Sequence, residues 1–184
     1  MDWYVLRTLC GKEDVVLSIF NKMEIFSEFD VFCPKRRISW RKGGHILSII
    51  RPLFEGYLFV SVPCKKIGKF DRLLRMYRLN VARLVRSAGS LAPISVEEKQ
   101  LLQGLMDYER VVEVSKIEIV KEQFKVIDGP LLGCEHMIKN FSSRKRRITI
   151  EVPLLHERKK IELEGILINS NREDRERFDV ENQH

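Results

Sequence analysis

The sequence predicts an α+β protein in which helices pack on a mainly antiparallel sheet, followed by a small β-barrel. Three observations predict it. Apolar residues switch repeatedly between a period of two and a period of about 3.6 through residues 1–106, which alternates strands with helices. From 117 to 168 the period stays at two, with turn residues roughly every ten positions, as in a small closed barrel. The 184 residues are 44% apolar and 32% charged, a composition that fills real cores and suits a globular chain rather than a membrane protein. These patterns divide the chain into a domain at 1–106, a linker at 107–116, a barrel at 117–168 and a polar tail at 169–184 that is expected to be disordered.

The elements follow in order. "DWYVLRTL" is rich in β-formers and predicts a strand over Trp3 to Leu9, with Trp3, Val5 and Arg7 on one side and Tyr4 and Leu6 on the other. Val16, Ile19, Phe20 and Met23 recur at helical spacing, so a helix is expected over Lys12 to Phe26, with Glu13 and Asp14 in the first turn where the helix dipole favours them. Gly43 and Gly44 supply the free φ of a tight turn between "RISWRK" and "HILSII", predicting a projecting basic hairpin. "LFEGYLFVSV" reads as a strand, and its near-continuous apolar content places it centrally in the sheet. A helix is expected over Lys66 to Arg78, then a short strand at "VARLVR" and a third helix opened by Ser95 and Glu98 in capping-box spacing. "DYERVVEVSK", Asp107 to Lys116, lacks helical phase and gives the linker. The barrel strands come from "KEQFKVIDGPLLGCEHMIKNF", "RRITIEVPLL" and "KKIELEGILI".

Charge is unevenly spread. The net charge is +7, and residues 35–86 carry 14 of the 33 Lys and Arg against only Glu55 and Asp71. A further run, "SRKRRITIEV", sets Arg144, Lys145, Arg146 and Arg147 side by side at the mouth of a strand. Like charges in series repel one another unless water screens them or a polyanion meets them, so nucleic acid or an anionic membrane surface is the partner class these stretches suggest. Alternation points Ile148, Ile150 and Val152 inward and sends Arg147 and Thr149 to water, with Arg144 and Lys145 in the turn itself.

"WYVL" and "LFEGYLFV" in the first domain and "FKVIDGPLLG" in the barrel, in that order and spacing, resemble the NusG family of transcription elongation factors. The resemblance runs to Ile168. It implies an N-terminal NGN-like α/β sandwich followed by a KOW-like domain with an SH3-like barrel. Within the family the basic "RKRR" turn looks most like the specialised paralogue LoaP, a regulator of long operons. The resemblance implies that the first domain binds the clamp helices of RNA polymerase through an apolar pocket, here Phe54 and Tyr57 with Arg7 nearby. It also implies that the hairpin approaches non-template DNA, with Lys35, Arg36, Arg37, Arg41 and Lys42 attracting phosphates and Trp40 offering a stacking face. For a LoaP-like barrel it implies a structured RNA hairpin, held by Arg144, Lys145, Arg146 and Arg147 with Lys139 and Lys125 as further candidates. In ordinary members the barrel binds protein partners instead, a ribosomal protein or a termination factor. Two departures bear on this transfer: Glu55 stands where the family usually has proline, and His136 where it usually has glycine.

The residues give no catalytic or metal assignment. Cys10, Cys33, Cys64 and Cys134 are widely spaced without a C-x-x-C pair, so reduced and buried thiols are expected, and no cofactor is implied. His45, His136 and His156 stand alone, and there is no G-x-S-x-G, H-E-x-x-H or glycine-rich phosphate loop, so an enzyme is not expected. No run of about 18 apolar residues exists, and the N-terminus lacks the order of a secretory signal. A monomeric cytoplasmic protein with no membrane association is expected, acting in antitermination.

Overall fold

The computed structural model describes residues 1–87, 89–120 and 123–168. In chain order these form β1 (Asp2–Thr8), α1 (Glu13–Lys22), β2 (Asp30–Phe32), β3 (Lys35–Lys42), β4 (His45–Pro52), β5 (Tyr57–Val62), α2 (Cys64–Met76), β6 (Ala82–Leu84), α3 (Val96–Leu105), β7 (Val111–Val112), β8 (Ser115–Val120), β9 (Gln123–Asp128), β10 (Ile138–Ser142), β11 (Arg147–Leu154) and β12 (Glu157–Leu167). The mixed α+β class expected from the sequence is the class observed. The tail expected at 169–184 lies outside the described residues. The chain forms two compact units, Met1–Pro34 with Pro52–Gln100, and Lys35–Arg51 with the described residues from Leu101 on.

The first unit is built on an antiparallel sheet of order β2-β5-β1-β6, with β5 central as its apolar sequence predicts. Both faces of β1 are buried. Tyr4 and Leu6 join Val16 and Phe20 of α1, Ile67, Phe70, Leu73 and Leu74 of α2, and Leu58 and Val60 of β5 in one core. Trp3 turns to the other face, where its ring meets Phe32 at 5.0 Å and Phe59 at 6.1 Å, edge-on in both cases. Such edge contacts place the positive rim of one ring against the negative face of the next.

The helix expected through Phe26 stops earlier. Met23 is extended (φ −93°, ψ 104°), ending α1, and the chain re-enters a 3-10 turn over Glu24–Phe26. The break carries the Phe26 ring inward, 5.1 Å from Phe20 and 5.6 Å from Phe70, instead of along the helix. The strand expected from Leu53 also begins late, at Tyr57, because Leu53–Gly56 turns first; Gly56 has φ +78°. At α3 the capping box forms as its spacing requires: Glu98 N–H donates to Ser95 Oγ at 3.1 Å, and Ser95 N–H to Glu98 Oε2 at 2.8 Å.

The second unit holds a five-stranded sheet of order β10-β11-β12-β8-β9 and a three-stranded one of order β4-β3-β7. All neighbours in the larger sheet are antiparallel except β12 and β8, which run parallel. Its core contains Ile117, Val126, Leu131, Phe141, Ile148, Ile150, Val152 and Leu163, so the inward phase of "ITIEV" is as its alternation predicts. The "DGP" turn depends on glycine: Gly129 has φ +100°, and a Cβ there would sit 2.7 Å from Val114 O and from Ser115 Cα. Part of the expected linker is ordered. Val111 and Val112 are buried in β7 and pair in parallel with Lys35 and Arg36 of β3. The four cysteines are thiols, but only Cys33 is buried; Cys10, which follows the end of β1, and Cys64, which opens α2, are exposed.

Candidate docking face and nucleic-acid interface

In the first unit, β1 and β5 place Arg7 opposite Tyr57 in register. The Arg7 guanidinium lies 5.9 Å from the centroid of the half-buried Tyr57 ring, a cation–π contact on the same face as Trp3 and Phe59. Phe54 is different. It is 5% exposed, and its ring meets Phe59 at 6.1 Å, so it anchors the loop from within. Glu55 is exposed. The turn is fixed by Glu13, whose carboxylate is 2% exposed and accepts the Gly56 N–H at 2.6 Å, while Gly56 O accepts from Thr8 N–H at 2.9 Å. Sequence reasoning placed Glu13 as a helix-dipole residue; no local signal ties it to a loop 43 positions away.

In the second unit, the hairpin cations divide. Arg37 pairs with Glu113 at 2.8 Å, and Arg36 donates from Nη1 to Glu162 O at 2.5 Å. The Glu113 carboxylate raises the Arg37 guanidinium's pKa above its ordinary value, chiefly through their hydrogen bond. Lys35 is half-buried beside β7. Trp40 and Arg41 are exposed near the tip; Lys42 closes β3, and its side chain is outside the described residues.

The basic turn divides as well. Arg144 and Lys145 are exposed. Arg146 and Arg147 are not free. Arg146 Nη2 lies 2.8 Å from Oε1 of Glu164, a carboxylate only 1% exposed, and Arg147 Nη2 donates to Ser39 O at 2.6 Å. Ser39 completes the cluster, donating to Glu164 from Oγ at 2.5 Å and also from its N–H. The outward orientation expected for Arg147 is therefore corrected: its guanidinium turns to a backbone carbonyl of β3, that of Ser39. Arg146 also adopts φ +55°, a left-handed conformation costing about 1–2 kcal/mol for a residue with a Cβ. The ion pair and the Gly165 N–H to Arg146 O bond at 3.2 Å hold it there. Gly165 itself has no room for a side chain, since a Cβ would lie 2.6 Å from Ile148 Cδ1.

Lys139 and Lys125 are exposed, but they occupy β10 and β9, the two ends of the strand order, so the sheet sequence does not group them. His136 lies exposed in a 3-10 turn over Glu135–Met137. Among the described residues no group of three or more His, Cys, Asp or Glu is placed to hold a metal ion, and no helix is long and apolar enough to cross a membrane.

The chain is thus a mixed α+β protein whose outward chemistry is an aromatic loop beside an arginine on one unit and clustered cations on the other. Comparison with known proteins makes it specific. Residues 1–103 match the family model described as NusG, transcription termination factor nusG. The chain belongs to the NusG family. It is 24% identical to the transcription termination/antitermination protein NusG of Rickettsia typhi, covering 92% of this chain and 90% of that one. To the NusG of Deinococcus radiodurans it is 22% identical, covering 89% of this chain and 96% of the other. A solved structure of an MjSpt4:Spt5 complex aligns over 86% of this chain and 91% of its own at 16% identity and a TM-score of 0.32.

Proposed function

We propose that this NusG-family chain is a specialised, LoaP-like antitermination and processivity factor, binding RNA polymerase through its first domain and a structured nascent RNA hairpin through a KOW-type SH3-like barrel. The domain division read from the sequence, 1–106 and 117–168 joined by 107–116, belongs to this reading, as does a cytoplasmic location. What supports the RNA assignment most is a single observation: Arg144 and Lys145 stand exposed side by side at the β10–β11 turn. Exposed cations on a protruding turn meet phosphates at little desolvation cost. In the first domain, Tyr57 and Arg7 are the contact groups and Phe54 shapes the loop beneath them. The clamp helices of polymerase are the partner for that face, since aromatic and arginine side chains dominate interface energies once water is sealed out. Tethering the barrel's RNA to polymerase raises its local concentration at terminators, which favours readthrough. Non-template DNA at Trp40 and Arg41 remains part of the proposal.

One observation favours a second reading, a general elongation factor whose barrel binds a ribosomal protein or termination factor. Arg146 and Arg147 are engaged within the protein, which leaves fewer cations for RNA than the run of four in the sequence offers. The deciding experiment uses the whole chain, because a 117–168 fragment would strip Ser39 from Glu164. A gel shift with a structured RNA should show binding that Arg144→Ala with Lys145→Ala weakens, reducing the log–log salt slope by about 1.4–1.8. Binding of a ribosomal protein with no RNA complex would support the second reading. For polymerase, Arg7→Ala and Tyr57→Ala should each lower affinity for the core enzyme in a pull-down titration, and unchanged affinity in both would remove the docking assignment.

A further inference from the structure

Ser39 of the hairpin and Arg147 of the basic turn lie 108 positions apart in sequence, and the resemblance assigned the two segments to different nucleic acids. In the second unit they share one cluster of side chains. Ser39 of β3 donates to the buried Glu164 of β12; Glu164 also takes the Arg146 guanidinium; and Arg147 closes the circuit on Ser39 O. Two residues beyond Ser39 stands Arg41, and just before Arg146 stand Lys145 and Arg144, all three exposed.

Strand alternation decides which hairpin residue joins the turn. Ser39 and Arg41 share one face of β3, and Trp40 points to the other. The Ser39 hydroxyl reaches Glu164, so Arg41 emerges on the side where Arg146 and Arg147 are held. The charges of the cluster are already matched: the Glu164 carboxylate is neutralised by Arg146, so it does not repel an incoming phosphate. The next carboxylate along β12 on that side is Glu162, which is exposed.

We propose that Arg41 of the hairpin forms one continuous cationic strip with Arg144 and Lys145, and that this strip holds the phosphate backbone of a single RNA. The inference rests on the RNA reading given above and extends it: Arg41 serves the same transcript as the turn, in place of the non-template DNA contact, which leaves Trp40 alone for DNA. Glu164 and Ser39 are positioning residues, setting the strip's geometry without touching RNA. Trp40 lies off the strip.

The test is a fluorescence-anisotropy titration of the full chain with a fluorescein-labelled RNA stem–loop across a salt series. Arg41→Ala should weaken binding as Lys145→Ala does, each lowering the log–log salt slope by about 0.7–0.9, the share of one phosphate contact. Arg41→Lys should restore the slope, and Trp40→Ala should leave it unchanged. Unaltered thermal melting of the Arg41 variant confirms that folding is not the cause. If Arg144→Ala with Lys145→Ala weakens binding and Arg41→Ala does not, the single strip is overturned and the turn alone reads RNA. If the wild-type chain fails to bind the stem–loop, or no cation substitution matters, the RNA reading fails and the strip with it.

Discussion

Two carboxylates, Glu13 in the first unit and Glu164 in the second, are almost equally hidden from solvent, and each fixes the loop on which a proposed contact stands. Their partners differ. Glu13 receives a backbone N–H from Gly56, whereas Glu164 receives a guanidinium together with two donors from Ser39. A buried carboxylate can therefore organise a loop by capping the backbone or by compensating a second charge, and the two devices fail in different ways. Losing the cap orphans one neutral donor. Losing the compensator strands a cation.

The largest effect expected from this difference is at Glu164. Glu164→Ala should destabilise the second unit by up to about 3–5 kcal/mol, the cost of breaking a fully buried pair, less what water recovers at the partly exposed Arg146. Glu164→Gln should do nearly as much damage, because the amide keeps the shape and loses the charge. Denaturant unfolding of the full chain, followed in both variants, measures this. A Gln variant as stable as wild type would show that hydrogen bonds and not charge carry the cluster.

The turns of the two units provide the next contrast. Gly129→Ala should cost about 2–4 kcal/mol, combining left-handed strain with collision against the backbone at Val114 and Ser115. Gly56→Ala meets Cys10 Sγ at 3.2 Å and Thr8 O at 3.3 Å, a milder approach in which one neighbour is a side chain, so its cost should be smaller. Thermal melting of both variants ranks them, and a reversed order would refute the comparison.

At Glu13 the expected loss is less than at Glu164. Glu13→Ala leaves the buried Gly56 N–H without its acceptor, at about 1–3 kcal/mol, while Glu13→Gln retains an oxygen and should cost well under half of that. The pair of ratios, Gln against Ala at 13 and at 164, separates a backbone cap from a charge pair in one set of unfolding curves.

The smallest effects belong to exposed carboxylates, one in each unit. Hydrogen bonds from Lys69 first, and then Lys66, hold Glu28 below the ordinary glutamate pKa; a hydrogen bond from Lys116 does the same for Asp128. A carboxylate whose folded pKa is depressed adds stability above its unfolded pKa and loses it as pH falls through the folded value. Both contributions should thus be present at neutral pH and fade only below the usual carboxylate range. They should also shrink with added salt, because solvent-exposed pairs are screened. Acid unfolding of Glu28→Gln and Asp128→Asn at two salt concentrations measures the loss, and a change confined to neutral pH would contradict the sign.

Much of the site was legible as residue types. The basic turn follows from charge and periodicity, while the aromatic loop and Arg7 on the first strand came from the family resemblance, whose first-domain motifs lie within the matched residues 1–103. What the residue order concealed was the use each cation is put to. Arg144 and Arg146 are chemically identical and two positions apart, yet one is exposed and the other is paired with a buried carboxylate. Phe54 and Tyr57 belong to one motif, but only Tyr57 presents its ring beside Arg7.

By itself the sequence determined the local matters: the alternating class of elements, the central apolar strand, the capping box at Ser95, the inward phase of Ile148, Ile150 and Val152, and the excess of positive charge. These depend on backbone propensity, period and composition, which act over a few neighbouring residues. Only the tertiary structure decided that Val111 and Val112 pair with β3, that Glu13 holds the turn at Gly56, and that Glu164 joins Ser39 to Arg146. Those choices arise from desolvation: a group removed from water must find its partner wherever the fold brings one, and that partner can lie more than a hundred residues away in the chain.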